Sequence, residues 1–165
     1  MKRQILIRNT LLLYFICLIS NLFANRDSII READKLSIND FEKAIKFCDE
    51  QIKKTNSEEE KAIFYRINGR AYYFKGDFKE ASLWYAKSIG VLEKYNNQKE
   101  LGLTFIEQAK LYRKSGMLPA AENTYQRALK IFTDLRDTLN LSTVYNENGV
   151  VYEYQKNYDK ALIYY

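Results

Sequence analysis

The sequence contains no histidine and only one proline, two cysteines and six glycines among its 165 residues. The absence of histidine removes the most common general base of enzymes and the most common zinc ligand. The sequence also has no glycine-rich phosphate loop, no paired-cysteine cluster and no nucleophile elbow. It therefore predicts a protein that is not an enzyme and that has no catalytic, cofactor or metal site.

What the sequence does contain is a large share of hydrophobic and aromatic residues, 47% and 15%, including 14 tyrosines. This composition is typical of a chain that buries a core, and it excludes a disordered or fibrous protein. We expect the rings to fill the gaps between packed elements.

The N-terminal segment, residues 1–24, has the layout of a secretory signal. It contains three basic residues and no acidic one, then an apolar run from Leu11 to Ile19, and it ends in the small residue Ala24. This layout predicts cleavage after Ala24 and export to the periplasm or cell envelope. The apolar run is shorter than the ~20 residues of a membrane span, and an uncleaved N-terminal anchor is the alternative interpretation.

Charge and cysteine content argue against two further classes. Three of the 26 basic residues lie within the N-terminal segment, so 23 remain against 21 acidic residues, and net charge does not indicate a nucleic-acid-binding surface. Without that segment Cys48 is the one remaining cysteine, so an exported chain has no internal disulfide framework. The apolar-face spacing of Cys48 predicts a small core residue.

Five positions recur with a 40-residue period, which indicates one small supersecondary unit stacked three times. They are Tyr65, Gly69, Tyr72, Ala81 and Tyr85 in the first copy, Phe105, Ala109, Tyr112, Ala121 and Tyr125 in the second, and Tyr145, Gly149, Tyr152, Ala161 and Tyr165 in the third.

From Ser57 onward the hydrophobic spacing is helical, with helices of about 17 to 19 residues joined by short turns. Short turns make neighbouring helices antiparallel. Gly76 and Gly116 are expected to take the left-handed conformation at two of these turns. In the third copy Lys156 stands there, and the turn is expected to be kept, either shifted to Asn157 or slightly strained.

Local signals also predict helix starts and close packing. Ser57, Asp77 and Asn39 each precede a glutamate by three positions, which is the pattern of an N-terminal cap. The mid-helix glycines and alanine of the repeat are expected to lie against the alanines of the partner helix, beginning with Gly69 against Ala81. The rings of the Tyr72 position are then expected to be buried.

The pattern Tyr65-x-x-Asn68-Gly69-x-x-Tyr72 followed by Ala81-x-x-x-Tyr85 resembles the tetratricopeptide repeat signature, over residues 57 to 165. The 40-residue period is longer than the usual unit of about 34 residues, and the usual closing proline is absent. The resemblance implies an all-α fold of stacked antiparallel helix pairs, a right-handed α-solenoid. The predicted parts are a signal at 1–24, a degenerate leading unit at 25–56, complete units at 57–97 and 98–137, and a truncated unit at 138–165.

Because the 40-residue register stops partway through the last unit, we expect the chain to be an N-terminal fragment, with further repeats or a domain after residue 165. The resemblance also implies that the first helix of each unit lines a concave face that contacts a partner. The positions carried over to this chain are Arg66, Arg70, Tyr73, Phe74, Ile106, Lys110, Arg113, Asn146, Val150 and Tyr154.

Four of these positions are basic and predict a track that pairs with carboxylates of an acidic protein or peptide. The alternative interpretation is a set of solvated charges on a helix face. The sequence thus favours a protein-interaction scaffold in a bacterial cell envelope. It binds no nucleic acid and meets a membrane only through an uncleaved N-terminal segment. Two alternatives stay open: the extracytoplasmic sensor portion of a signal-transducing kinase or transcriptional regulator, and a substrate-recruiting array of an enzyme.

Overall fold

The computed structural model describes residues 24–165, which are helical apart from short turns and contain no strand. The predicted signal segment lies outside the described residues except for Ala24. None of the helices within 24–165 combines the length and the hydropathy needed to cross a bilayer.

Eight helices follow one another through this part of the chain. They are α1 (24–39), α2 (Phe41–Lys54), α3 (Glu58–Lys75), α4 (Phe78–Lys94), α5 (Gln98–Lys114), α6 (Leu118–Asp134), α7 (Thr138–Tyr154) and α8 (Tyr158–Tyr164). Each helix from α2 onward packs on the next, and α5 also contacts α3 and α7. The first helices of successive units therefore lie side by side, and the predicted all-α array of stacked helix pairs is confirmed.

A left-handed residue closes each helix from α3 to α7, at even intervals along the chain. The next residue donates its backbone N–H to the carbonyl five positions back, as from Asp77 to Tyr72 at 2.9 Å, which satisfies a free carbonyl at the helix end. The third turn is kept and does not shift to Asn157: Lys156 itself takes φ 59°, a conformation unfavourable for a residue other than glycine, and Asn157 caps α8. The five left-handed residues are Gly76, Asn96, Gly116, Arg136 and Lys156.

Two of the three predicted helix caps are confirmed. Ser57 and Asp77 accept backbone N–H bonds from the residues three positions on, at 3.3 and 3.1 Å. The third cap is Asp40, which accepts the Lys43 N–H at 3.1 Å. The prediction of Asn39 is wrong because its amide donates to a carbonyl in the last turn of α1, where it ends one helix instead of beginning the next.

The repeat glycines of α3 and α7 each lie against an aromatic ring of the same unit. A Cβ added to Gly69 would meet the Tyr85 ring at 2.5 Å, and one added to Gly149 would meet the Tyr165 ring at 2.8 Å. Ala81 is fully buried, but the group that covers Gly69 is the ring one turn further on. The sequence analysis missed a third case, Gly102, which lies 2.6 Å from the Phe132 ring by the same measure.

The aromatic side chains at the repeat positions differ in how deeply they are buried. Tyr85 and Tyr125 are fully buried and Tyr152 is 3% exposed. Tyr72 and Tyr112 are only half-buried, so the prediction that these rings are buried is wrong for both, although Tyr152 at the equivalent position of α7 is buried. The remaining repeat positions Tyr65, Phe105, Ala109, Ala121 and Ala161 are buried.

The third unit is covered less than the first two. Tyr145 is 44% exposed although Tyr65 and Phe105, at the equivalent positions, are buried. The helix that faces it, α8, has seven residues where α4 and α6 have 17. Among residues 24–165, the one aromatic ring that packs beside Tyr145 is that of Tyr164, tilted at 51° with 5.8 Å between centroids.

The leading unit contributes a small core of its own. Cys48 of α2 is fully buried with Ala33, Ile63, Phe64 and Ile67, which confirms its predicted core position. Burial raises the pKa of the Cys48 thiol to about 12, and the nearby charges of Asp49 and Asp34 act in the same direction. A thiol with this pKa stays protonated at neutral pH, so Cys48 is not a nucleophile.

The ring over Gly69 predicts the effect of a single methyl group. Gly69→Ala should lower the free energy of unfolding by about 1 to 3 kcal/mol, because the Tyr85 ring has to move away. Gly90→Ala is the matched control: nothing lies within 4 Å of a Cβ added in the middle of α4, so it should raise stability by ~1 kcal/mol through helix propensity. Urea unfolding measures both, and equal shifts in the two variants would contradict the described packing.

A second prediction concerns the start of α6, where Met117 makes no side-chain cap and is 52% exposed. Met117→Asp should raise the free energy of unfolding by about 1 kcal/mol at pH 7, because a carboxylate there accepts a free backbone N–H. Asp77→Ala should lower it by a similar amount, because it removes an existing cap. Thermal unfolding of both variants checks the pair, and a Met117→Asp variant of unchanged stability speaks against this cap position.

Candidate protein-interaction face

The first helices α1, α3, α5 and α7 form one side of the array, called here the first-helix face. Eight charged side chains meet across the junctions of these helices and form what we call the ion-pair ladder. Its members are Asp34 on α1, Arg66 and Arg70 on α3, Glu100, Glu107, Lys110 and Arg113 on α5, and Glu147 on α7.

The first half of the ladder joins α1, α3 and α5. The Arg70 guanidinium lies 2.9 Å from an Asp34 carboxylate oxygen and 3.0 Å from one of Glu107. Arg66 lies 3.6 Å from Asp34 and 3.2 Å from Glu100. Each arginine of α3 thus holds a carboxylate on both neighbouring first helices, which fixes their relative position.

The second half joins α5 to α7 through one carboxylate. Glu147 lies 3.3 Å from the Lys110 ammonium and 3.0 Å from the Arg113 guanidinium. The buried Tyr125 hydroxyl donates to the same carboxylate at 3.5 Å. Glu147 is therefore shared by two cations and one hydroxyl from the preceding unit.

The mutual charges of the ladder outweigh the cost of burial. Burial of the Glu107 carboxyl acts to raise its pKa, but the charges of Arg70, Lys110 and Arg66 oppose this, and the pKa is lowered. For Arg70, burial acts to lower the pKa, and the carboxylates of Glu107 and Asp34 raise it. Both groups are therefore charged at neutral pH and stabilise each other.

This arrangement corrects the predicted basic track. Arg66 and Ile106 are each 3% exposed, so two of the predicted contact residues do not reach the surface. The four basic residues pair with four carboxylates of the same chain, so their charges are neutralised internally. A charge reversal of Arg70 and Lys110 would break these pairs, and therefore could not report on the charge of a ligand.

The accessible part of the first-helix face lies toward the C-terminal ends of α3, α5 and α7. Phe74 and Tyr154 are 47% and 60% exposed, and Lys114 between them on α5 is also exposed. Tyr73 packs edge-on against Phe74, with 5.4 Å between centroids. We call Tyr73, Phe74, Lys114 and Tyr154 the exposed strip. Of the other predicted contact residues, Asn146 is exposed and Val150 is half-buried.

The exposed strip contacts the ion-pair ladder at one end. The Arg113 guanidinium, which pairs with Glu147, also lies 5.7 Å from the Tyr154 ring centroid, within reach of a cation–π contact. Tyr73 packs on Phe78 of α4 at 5.8 Å. Arg113 thus packs against the Tyr154 end of the strip, and Phe78 packs against the Tyr73 end.

The four carboxylates of the ladder were missed in the sequence, although a signal for two of them was present. Arg70 and Lys110 occupy equivalent positions of the 40-residue repeat, and so do Glu107 and Glu147. Each of these carboxylates therefore follows its base at the same spacing, and a search for charge pairs at the repeat period would have linked them. Asp34 had no such signal, because it lies before the regular repeats begin.

The face offers contacts for binding. The described residues contain no group of three or more histidine, cysteine, aspartate or glutamate side chains placed to hold a metal ion. Along the exposed strip, another molecule can contact the rings of Phe74 and Tyr154 and the ammonium group of Lys114. These groups bind through apolar contact and ion pairing.

Comparisons with known proteins agree with this architecture. Residues 100–165 match the sequence model of the tetratricopeptide repeat. The crystal structure of BtubC (BKLC) from P. vanneervenii is similar with a TM-score of 0.68 at 17% identity, over 88% of this chain and 70% of that one. The nearly identical TPR-like repeats of a Podosopora anserina protein assigned as a kinesin light chain give 0.68 at 16% identity, over 84% and 70%. A search of curated proteins gives no match.

The ladder predicts a pH-dependent loss of stability. Glu107→Gln should lower the free energy of unfolding by about 1 to 3 kcal/mol at pH 7, because it leaves the mostly buried Arg70 short of one carboxylate. The folded-state pKa of Glu107 is lowered, so its contribution is complete above the unfolded value of ~4.3 and is lost as pH falls through the lower folded value. The difference between wild type and variant should therefore shrink below about pH 4.

The matched control is Glu93→Gln, which breaks a 3.0 Å pair with Arg127 whose two side chains are each 50% exposed. It should cost less than ~1 kcal/mol, because solvent screens exposed pairs. Urea titrations from pH 3 to pH 7 measure both variants. Equal effects in the two, or a Glu107→Gln effect independent of pH, would speak against the ladder.

Proposed function

Since the chain carries tetratricopeptide repeats, we propose that it is a scaffold for protein–protein interaction that holds a segment of a partner protein on the first-helix face. The observation that carries this proposal is the exposed strip. Two aromatic side chains stay in contact with solvent on a face where the eight charges of the ion-pair ladder are paired with one another. Exposed aromatic residues on a well-supported surface are typical of binding sites.

The chemistry of the strip indicates the chemistry of the partner. The rings of Phe74 and Tyr154 favour apolar or aromatic side chains of the partner. Lys114 makes no ion pair with another described residue, so it favours a carboxylate placed between those apolar side chains. The proposed partner segment is therefore apolar at two positions and acidic between them, and Lys114 replaces the predicted basic track as its cation.

The spacing of the helices sets the length of such a segment. Packed helices lie about 8 to 10 Å apart, so the two steps from α3 to α7 span about 16 to 20 Å. An extended chain covers about 3.3 to 3.6 Å per residue. A segment of about five or six extended residues thus reaches from Phe74 to Tyr154.

The proposed location is the cell envelope. The support is the sequence of residues 1–24, whose basic start, apolar run and small terminal residue are typical of an export signal. A scaffold exported in this way would meet partners in an extracytoplasmic compartment. Fractionation of cells that express the full sequence, with detection of the processed N-terminus, measures this location separately from binding.

The proposed binding is measured by replacing both ends of the strip. A photo-reactive phenylalanine analogue at position 74 crosslinks partners in the native host, and the binding of the recovered partner is then measured by calorimetry. Phe74→Ala and Tyr154→Ala should each weaken binding at least tenfold, because aromatic anchors dominate interface energies. Both variants should keep their stability within ~0.5 kcal/mol, because both side chains are on the surface.

Leu83→Ala is the matched control, since this residue of α4 is 56% exposed and lies on a second helix. It removes a comparable apolar surface from outside the first-helix face and should leave binding unchanged. A partner that binds wild type and the Phe74→Ala, Tyr154→Ala double variant equally rules out the strip as the site. Loss of binding in Leu83→Ala alone would place the site on the second helices.

A further inference from the structure

A ring from the second helix completes an aromatic cluster in the first unit. Trp84 of α4 lies beside Tyr65, with 5.6 Å between centroids, and stacks on Tyr72 at 6.5 Å with an interplanar angle of 11°. Two rings of the first helix therefore share one ring of the second helix. Lys87, one turn after Trp84, lies 4.3 Å from the Tyr65 ring.

The third unit builds the same cluster from different residues. Tyr164 of α8 lies 5.8 Å from Tyr145 and 5.0 Å from Tyr152. In the 40-residue register, Tyr145 and Tyr152 correspond to Tyr65 and Tyr72. Tyr164 follows Trp84 by two repeat periods, so it occupies the same position two units later.

The second unit lacks this ring. Phe105 and Tyr112 occupy the first-helix positions, but the residue one repeat period after Trp84 is Thr124. Phe105 is covered instead by the Arg127 guanidinium, 3.9 Å from its centroid. Tyr112 has no aromatic partner among the described residues, and it is half-buried, as Tyr72 is beside Trp84.

An open groove of about 540 Å³ lies at this place, between α4 and α6. Three of the residues that line the groove have small side chains: Ala86 and Gly90 on α4, and Ala120 on α6. Its floor includes the Tyr112 ring, and Thr124 lines the side where a tryptophan stands in the first unit. The volume is within the ~300 to 1,000 Å³ typical of pockets that hold small molecules or side chains.

We propose that the groove between α4 and α6 binds an aromatic side chain of a partner protein, stacked on Tyr112 as Trp84 stacks on Tyr72. The first and third units of the same array show which chemical group fits beside these first-helix rings. Arg127 at the rim of the groove places a cation next to the incoming ring. In the first unit, the Lys87 ammonium lies in the same way 5.2 Å from the Trp84 ring centroid. The site takes one ring, preferably an indole or a phenol.

Two amide side chains at the groove suit the backbone of such a partner. Gln108 and Asn123 both line the groove, and neither has a hydrogen bond to another described residue. A side-chain amide offers both a donor and an acceptor, which matches one peptide unit. The occupant is therefore an aromatic residue within a polypeptide segment.

The site is separate from the exposed strip. The groove opens between the second helices α4 and α6, with Gln108 and Tyr112 of α5 among its lining residues, whereas the strip lies at the C-terminal ends of the first helices. A protein bound by the strip can therefore leave the groove open to a second partner. Substitutions in one surface leave the other intact, so the two proposals fail or succeed independently.

The experiment uses N-acetyl-tryptophanamide as the probe and the isotope-labelled protein in solution. Amide shifts of Ala86, Gly90 and Ala120 should change with a dissociation constant on the order of 1 mM, the affinity expected for a ligand of this size. N-acetyl-leucinamide should produce shifts at least tenfold weaker at the same concentration, because it has no ring to stack on Tyr112.

Thr124→Trp supplies the missing ring from the chain itself and should weaken probe binding at least tenfold. Gly90→Leu blocks the groove from the other wall, where an added Cβ meets no atom within 4 Å, and should have the same effect. Thr124→Val is the matched control: it removes the hydroxyl that donates to the Ala120 carbonyl but leaves the groove open, and should bind the probe like wild type.

Three results would overturn the proposal. The first is the absence of ring-dependent shifts at the groove in wild type. The second is undiminished binding to both filled variants. The third is a response confined to residues around Tyr145 and Tyr164, which would show that the ring prefers the partly covered third unit.

Discussion

The array depends on the fit between a large ring on the second helix of a unit and a small residue on the first. The Tyr85 ring lies so close to Gly69 that no Cβ fits between them, and Tyr165 repeats this contact with Gly149. Close packing of this kind fixes the distance between the two helices of a unit. In the second unit Ala109 stands at this position and the close contact is between Gly102 and the Phe132 ring, so a ring packs on a glycine in all three units. The first helices α3, α5 and α7 lie side by side, and the face they form follows the 40-residue repeat.

Regular spacing is what allows charges from separate units to meet. Arg70 reaches carboxylates on both sides because α1 and α5 both lie beside α3. The ion pairs fix how neighbouring first helices are aligned along their axes. Apolar contacts alone do not fix this alignment, since the hydrophobic effect has no direction. Ring packing holds each hairpin together, and the ladder aligns one hairpin with the next. The charges of the ladder are taken up by these pairs, so the exposed rings of Phe74 and Tyr154 distinguish the accessible end of the face.

Much of this architecture could be predicted from residue spacing, because the 40-residue phase of bulky and small side chains reflects the packing directly. The helix ends, the glycine turns and the buried alanines follow from that phase. The charged contacts did not, because a charge on one helix was interpreted without its neighbour on the next first helix. Full burial of Tyr72 and Tyr112 was also expected from phase alone. Both rings are half-buried whether the opposite residue is Trp84 or Thr124, so the phase gives the face on which they lie but not the depth of their burial.

The ion-pair ladder also makes the repeat units chemically different from one another. Val150 of α7 stands where α3 has Arg70 and α5 has Lys110, so α7 presents no cation at this position. The junctions between first helices therefore differ in chemistry: the two arginines of α3 join it to α1 and to α5, whereas a single shared glutamate joins α7 to α5. Exchange or duplication of units by recombination would leave half-buried charges facing apolar side chains. Evolution of this array by shuffling is thus restricted, although its hairpins share one backbone plan.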